Sequence, residues 1–325
     1  MSKKTKLWLI AASSFVVIGL IMVAAVMTAY NWDFTRLSTI KYETNTHQIK
    51  DEFNSISLKT ETADVDFVSS EDGKCKVVCY EPKNAKHSVT VQDGTLTINA
   101  VDERKWYEHM GITFDSPKVT VYIPQGEYGA LSVKSSTGNV AMAKHFKFES
   151  INISTSTGDV KCLASTSEKM KLKTTTGNIR VENASAGTLD LSVSTGKVTV
   201  SNVNCERGVT VSVSTGKTYL TDIACQNITS SGSTGNISLE NVLATERFSI
   251  ERSTGHVKFD SCDAAEIFVE TDTGDVTGSL LSEKVFIIET STGDVSVPQS
   301  ITGGKCEINT STGDIRISIS YPQQQ

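Results

Sequence analysis

With 325 residues and 38% hydrophobic content, the chain is long enough to bury a sizeable core, and five prolines are too few for long proline-rich linkers. The formal net charge is −6; setting aside Lys3, Lys4 and Lys6 leaves 28 basic against 37 acidic residues, about −9. That balance argues against nucleic acid as a partner and against an electrostatic grip on anionic lipid, and it suits plain solubility or cation binding.

Residues 1–6 are a short basic cytoplasmic tail, followed by 23 uncharged residues from Leu7 to Ala29, with Trp8, Tyr30 and Trp32 at the ends. About 20 apolar residues span a bilayer, and aromatic side chains favour its interfaces. Residues 7–30 are therefore expected to form one transmembrane signal-anchor helix. Lys3, Lys4 and Lys6 would hold the amino end in the cytoplasm. The chain then reads as a single-pass protein of the cell membrane with an extracytoplasmic C-terminal region. The rival is a cleaved signal peptide, whose apolar core usually runs to about 7–15 residues; Val23-Ala24-Ala25 is only a weak cleavage candidate. Both readings export everything after Tyr30.

Residues 31–50 are polar and mixed and read as a linker. From Phe53, short alternating runs begin: Ile56 and Leu58, Val65 and Phe67, Cys75 to Tyr80, Val89 to Val91, Leu96 to Ile98. Asp93-Gly94 between two such runs is a hairpin signal. Glu103 to Met110, with Trp106, Tyr107 and His109, is expected to be a loop over the first coil, and Pro124 ends a strand that starts at Lys118. Residues 51–130 are thus expected to be an irregular N-terminal β cap region, covering strand edges that a stacked sheet would otherwise expose.

Residues 131–320 carry a repeat. A Thr-Gly corner recurs at Gly138, Gly158, Gly177, Gly196, Gly216, Gly235, Gly255, Gly274, Gly293 and Gly313, with gaps of 19 or 20 residues. A fixed period in this range marks a solenoid, in which each unit buries its apolar side only against its neighbours. Counting from each glycine, −7 and −5 are apolar (Ile151 and Ile153, Met170 and Leu172), and so are +2 and +4 (Val160 and Cys162, Ile179 and Val181). Period-2 alternation is the strand signal. The inward set is odd before the glycine and even after it, a one-residue slip that places a turn at Thr-Gly-Asp, where glycine supplies a positive φ. The expected fold is all-β: a parallel, β-helix-like β-solenoid of about ten 19–20-residue coils stacked in chain order, after one N-terminal transmembrane helix. At ~4.8 Å per rung the rod would be on the order of 50 Å long. Residues 321–325 read as a frayed tail.

Val119-Thr-Val-Tyr-Ile-Pro124, Leu131-Ser-Val, the Ser-Thr-Gly-Asp coils, Asp64-Val65-Asp66-Phe67 and Gly94-Thr95-Leu96-Thr97-Ile98 together resemble the bacterial domain-of-unknown-function family of β-strand-repeat proteins named as adhesins. The resemblance covers roughly 51–320. It implies an exported, often membrane-anchored protein, in some cases associated with cell-envelope stress systems, and it carries no catalytic residues over. Lys197, Lys217 and His256 depart from the family's Asp or Asn after the glycine.

That post-glycine column is Asn139, Asp159, Asn178, Lys197, Lys217, Asn236, His256, Asp275, Asp294 and Asp314. In-register stacking would set Asp275, Asp294 and Asp314 ~5 Å apart from rung to rung. Carboxylates that close repel unless a cation or hydrogen bonds hold them, so the three are a candidate calcium ladder; the blander reading is that each caps its own turn. The seven cysteines lack CxxC spacing; Cys162, Cys205, Cys225, Cys262 and Cys306 fall at inward offsets and read as free core thiols, although Cys205 and Cys225 could pair. No HExxH, GxSxG, Walker-type phosphate loop or helix-opening GxGxxG occurs. No catalytic residue and no cofactor is expected. The function expected is a non-enzymatic, surface-displayed scaffold contacting an envelope polymer or protein partner through its Ser/Thr faces. The alternatives are a regulatory component of envelope stress and a carbohydrate-active enzyme with paired carboxylates roughly 5–10 Å apart.

Overall fold

The computed structural model describes residues 2–33, 38, 40–102, 104, 113 and 115–321. Helix α1 (Lys3–Ala29) is 27 residues long, and none of its most apolar stretch is buried. It is long and apolar enough to cross a membrane. Ser2 caps it, its hydroxyl accepting from the Thr5 amide at 3.2 Å.

Among the described residues, every regular element after the helix is a strand. The first strands are β1 (Tyr42–Ile49), β2 (Ser55–Thr60), β3 (Asp64–Ser69), β4 (Cys75–Pro82), β5 (Ala85–Gln92), β6 (Thr95–Asp102) and β7 (Lys118–Ile123). The coils continue through β8 (Gly126–Thr137), β9 (Val140–Met142), β10 (Phe146–Thr157), β11 (Val160–Cys162), β12 (Ser165–Thr176) and β13 (Ile179–Thr195). Then come β14 (Val198–Thr215), β15 (Thr218–Thr234), β16 (Ile237–Thr254), β17 (Val257–Cys262), β18 (Glu266–Thr273) and β19 (Val276–Leu280). The last four are β20 (Lys284–Thr292), β21 (Val295–Ser296), β22 (Gly304–Thr312) and β23 (Ile315–Ile319). From β8 to β23 every pairing between coils is parallel and keeps the Thr-Gly corners in register, as in Thr195 beside Thr215 and Thr215 beside Thr234.

The alternation read from sequence becomes the core. Leu172, Val181, Leu191, Val200 and Leu220 are all fully buried and stack on their equivalents one rung away. Burying one such side chain is worth ~1.5–3 kcal/mol, and no coil could collect that alone. The five consecutive coils from Gly177 to Gly255 have a second corner, six residues past the glycine, where Asn183, Asn202, Asp222, Asn241 and Ser261 adopt φ of 51 to 54°. Asn and Asp tolerate this left-handed conformation better than other side-chain-bearing residues. Asn202 Nδ2 donates to Asn183 Oδ1 at 2.7 Å, and Asn241 Nδ2 donates to Asp222 Oδ1 at 2.6 Å, so this corner also stacks.

Stacking does not follow chain order at the ends. The coil of β22 and β23 lies between that of β18 and β19 and that of β20 and β21. The rung order is therefore Gly274, Gly313, Gly293. At the other end, β2 pairs with both β6 and β8, and β3 with both β7 and β9, so residues 55–69 form a true rung inside the stack. Its corner is Thr62-Ala63-Asp64. Antiparallel β5 closes β6, and β4 followed by β1 extends β7. The expected linker is corrected here, because Tyr42–Ile49 is the outermost strand of that extension. The expected loop at 103–110 lies outside the described residues apart from Arg104. In the expected tail, Tyr321 donates its hydroxyl to Glu283 Oε1 at 3.1 Å; residues 322–325 lie outside the described residues.

Candidate functional site

The post-glycine column is a relay of side-chain acceptors. Asp64 Oδ1 accepts from the Asn139 amide at 2.7 Å, Asn139 Oδ1 from Asp159 at 2.8 Å, Asp159 Oδ1 from Asn178 at 2.7 Å, and Asn178 Oδ1 from Lys197 at 3.0 Å. Each side chain thus caps the turn of the next rung rather than its own. Lys197 and Lys217 have no acceptor atom, so they cannot continue the relay. It resumes at Asn236, which accepts from His256 at 3.1 Å, and His256 Nδ1 accepts from the Asp275 amide at 3.0 Å. His256 therefore fills the role of Asn or Asp with a ring nitrogen.

The expected succession of Asp275, Asp294 and Asp314 is corrected by the rung order to Asp275, Asp314, Asp294. Asp275 Oδ1 accepts from the Asp314 amide at 2.9 Å and Asp314 Oδ1 from the Asp294 amide at 2.8 Å. Arg316 Nη2 lies 2.7 Å from Asp314 Oδ2 and 3.8 Å from Asp294 Oδ2. Backbone amides and a guanidinium meet the carboxylate charge here. Among the described residues, the group of possible ligands that converges within 4.8 Å is elsewhere: Cys79, Glu81 and His87.

One threonine column is internal. At −3, the Thr155, Thr174, Thr271 and Thr310 hydroxyls donate to the carbonyls of Gly138, Gly158, Gly255 and Gly274 at 2.9–3.4 Å. Arg252 interrupts this column. Only 4% exposed, it donates to Thr218 Oγ1 at 3.3 Å and Ser230 Oγ at 3.1 Å, and its Nε has no partner. Burial pushes its pKa down to about 10. The sequence signal was Gly232 in the same column one rung earlier, where a Cβ would overlap the Arg252 guanidinium.

On the flank of the first coils, a groove of about 400 Å³ is lined by Glu127, Tyr128, Glu149, Thr166, Asn204 and Glu206, among others. Tyr128 stacks on Phe148 at 5.4 Å between ring centroids, and the buried Thr166 hydroxyl has no partner. Glu127 is engaged by Lys147 at 3.4 Å. Away from the groove, many outward positions of the middle coils are short and hydroxylated, as at Thr210, Ser212, Thr229 and Ser231, with Ser212 and Ser231 joined at 3.2 Å, beside longer ones such as Asp190 and Tyr219.

All seven cysteines are free and buried. Burial pushes Cys75 and Cys262 up to about 11 and Cys79, Cys162, Cys225 and Cys306 to about 12. The thiolate is the reactive form. A thiol reagent at pH 8 is therefore expected to label fewer than one cysteine per native chain within minutes and all seven after denaturation under reducing conditions. Fast native labelling of two or more would contradict this packing.

The geometry defines a stacked β scaffold preceded by one apolar helix. The family described as Toastrack DUF4097 matches residues 53–214 and 206–324, and the chain belongs to it. Among solved structures, a "putative lipid binding protein" from Parabacteroides distasonis ATCC 8503 is 17% identical, with 74% of this chain and 95% of that one covered at a TM-score of 0.50. A "putative adhesin" from the same organism is 14% identical, with 86% and 98% covered at 0.46. At such identities the first likeness establishes the fold alone. A search of the curated proteins returns no match.

Proposed function

We propose that the protein is a membrane-anchored, surface-displayed scaffold that contacts an envelope polymer or protein and performs no chemistry itself. The carrying observation is an unbroken stack of coils behind an apolar helix. The corner carboxylates of Asp275 and Asp314 are occupied by backbone amides, and the middle faces of the stack carry many short hydroxylated side chains. A rigid repeat of this kind offers an extended surface rather than a cleft. Helix α1 acts as the anchor, with the β-solenoid on the outer side. The names of the similar structures, an adhesin and a lipid-binding protein, fit a role in surface contact.

The test uses the full chain in detergent micelles or proteoliposomes, incubated with purified peptidoglycan, anionic vesicles and solubilised envelope protein from its own source. Saturable retention by polymer or protein, abolished by unfolding the β region, is expected. Retention by none of these, or turnover of a polysaccharide substrate, would overturn the reading.

A further inference from the structure

We propose that Cys79, Glu81 and His87 form a binding site for a zinc-type divalent ion in the N-terminal β extension. Cys79 and Glu81 sit two residues apart on β4 and so share its inner face, and His87 reaches them from β5 across a short turn. Their sulfur, carboxylate oxygen and ring nitrogen lie within 4.8 Å of one another. The three residues are 0%, 1% and 8% exposed. Sulfur, nitrogen and oxygen at that closeness are the donor set zinc takes, and in a tetrahedral site the donors stand roughly 3.3–3.6 Å apart.

The surroundings are arranged as they are around metal ligands. His87 Nδ1 faces Glu81 Oε2 at 2.7 Å, while its other nitrogen is held by the Thr60 hydroxyl at 3.0 Å. Glu81 Oε1 is held by Asn45 Nδ2 from β1 at 2.8 Å. Outer partners of this kind fix ligand orientation and ring tautomer. Thr60 and His87, but not Cys79 or Glu81, line a cavity of about 390 Å³, so an ion entering from it has to pass the imidazole to reach the other two donors.

Loading balances as follows. The ion takes the place of the proton between His87 Nδ1 and Glu81 Oε2, and the pair opens from 2.7 Å to roughly 3.3 Å. The displaced proton moves to Nε2, so the imidazole stays neutral, and Thr60 turns from donor to acceptor. Cys79 loses its thiol proton, so one proton leaves per ion.

The experiment titrates the reduced full chain in detergent with cobalt(II), a spectroscopic stand-in for zinc. One equivalent is expected to produce a thiolate-to-cobalt charge-transfer band in the near ultraviolet and intense tetrahedral d–d bands, both erased by zinc. Cys79→Ser should abolish the charge-transfer band, Glu81→Gln should weaken cobalt binding at least ~10-fold, and Cys75→Ser, on the same strand face, should leave both unchanged. Zinc should also raise the melting temperature of the natural chain, by ligand linkage. A natural chain that shows neither band nor shift overturns the proposal whatever the variants do, and so does a band that survives Cys79→Ser.

Discussion

Cysteines introduced at Glu270 and Asn309 are expected to be joined efficiently by a short thiol cross-linker in the native protein, whereas a Glu270 and Glu289 pair is not. The rung order produces this contrast. Glu270 lies directly beside Asn309, and Asn309 lies between it and Glu289. Adjacent rungs are ~4.8 Å apart and alternate ones about twice that, so a linker of one-rung reach separates the two pairs. Stacking in chain order would reverse the result. The natural thiols do not obscure the measurement, because Cys306 and Cys262, the nearest in sequence, are buried and pushed up to about 12 and 11. Efficient joining of Glu270 to Glu289, read as a mobility shift and confirmed by peptide mass, would overturn the inserted-coil arrangement.

This inversion also shows where sequence reading stops. The inward phase of each coil was legible because burial forces it: every residue at −5 and +2 from Thr-Gly that reads as apolar in the middle coils is buried, from Ile153 and Val160 to Val211 and Ile237. Coil order was not legible, because the coils at Gly274, Gly293 and Gly313 share Thr-Gly-Asp and apolar residues at −7, −5 and +2, so any permutation satisfies that pattern equally. The connections decide it: residues 297–303 carry the chain back over one rung. At the corner column, residue identity was legible but direction was not. That Asn178 Oδ1 serves Lys197 rather than its own turn follows from the rung-to-rung approach, a distance no single coil encodes. The Cys79, Glu81 and His87 cluster was invisible for a related reason. The spacing of these residues matches no metal motif, and they meet only because β4 and β5 are set against β2 and β1.

Gly216→Ala is expected to be the most damaging single-methyl change in the middle of the rod. Gly216 has φ of 146°, a region that L side chains rarely occupy, and a Cβ there would overlap the carbonyl oxygen of Gly196. The backbone strain alone costs ~1–3 kcal/mol. Relieving the overlap means moving the rungs apart at the point where the Gly216 amide donates to Thr234 at 2.8 Å and the Gly196 amide to Thr215 at 3.0 Å. The total should reach ~3–5 kcal/mol, the range of the largest single-site effects. In a stacked array the loss falls on one interface between neighbours, so the rod should divide into two less cooperative halves. The melting transition should broaden or split, with its lower limb displaced by roughly 10 °C, taking ~2–4 °C per kcal/mol for a body of this size. Thr210→Ala, at an exposed site in the same coil, should stay within ~0.5 kcal/mol of the natural protein. If the two variants melt together, the close approach of successive corners is not what holds the coils in register.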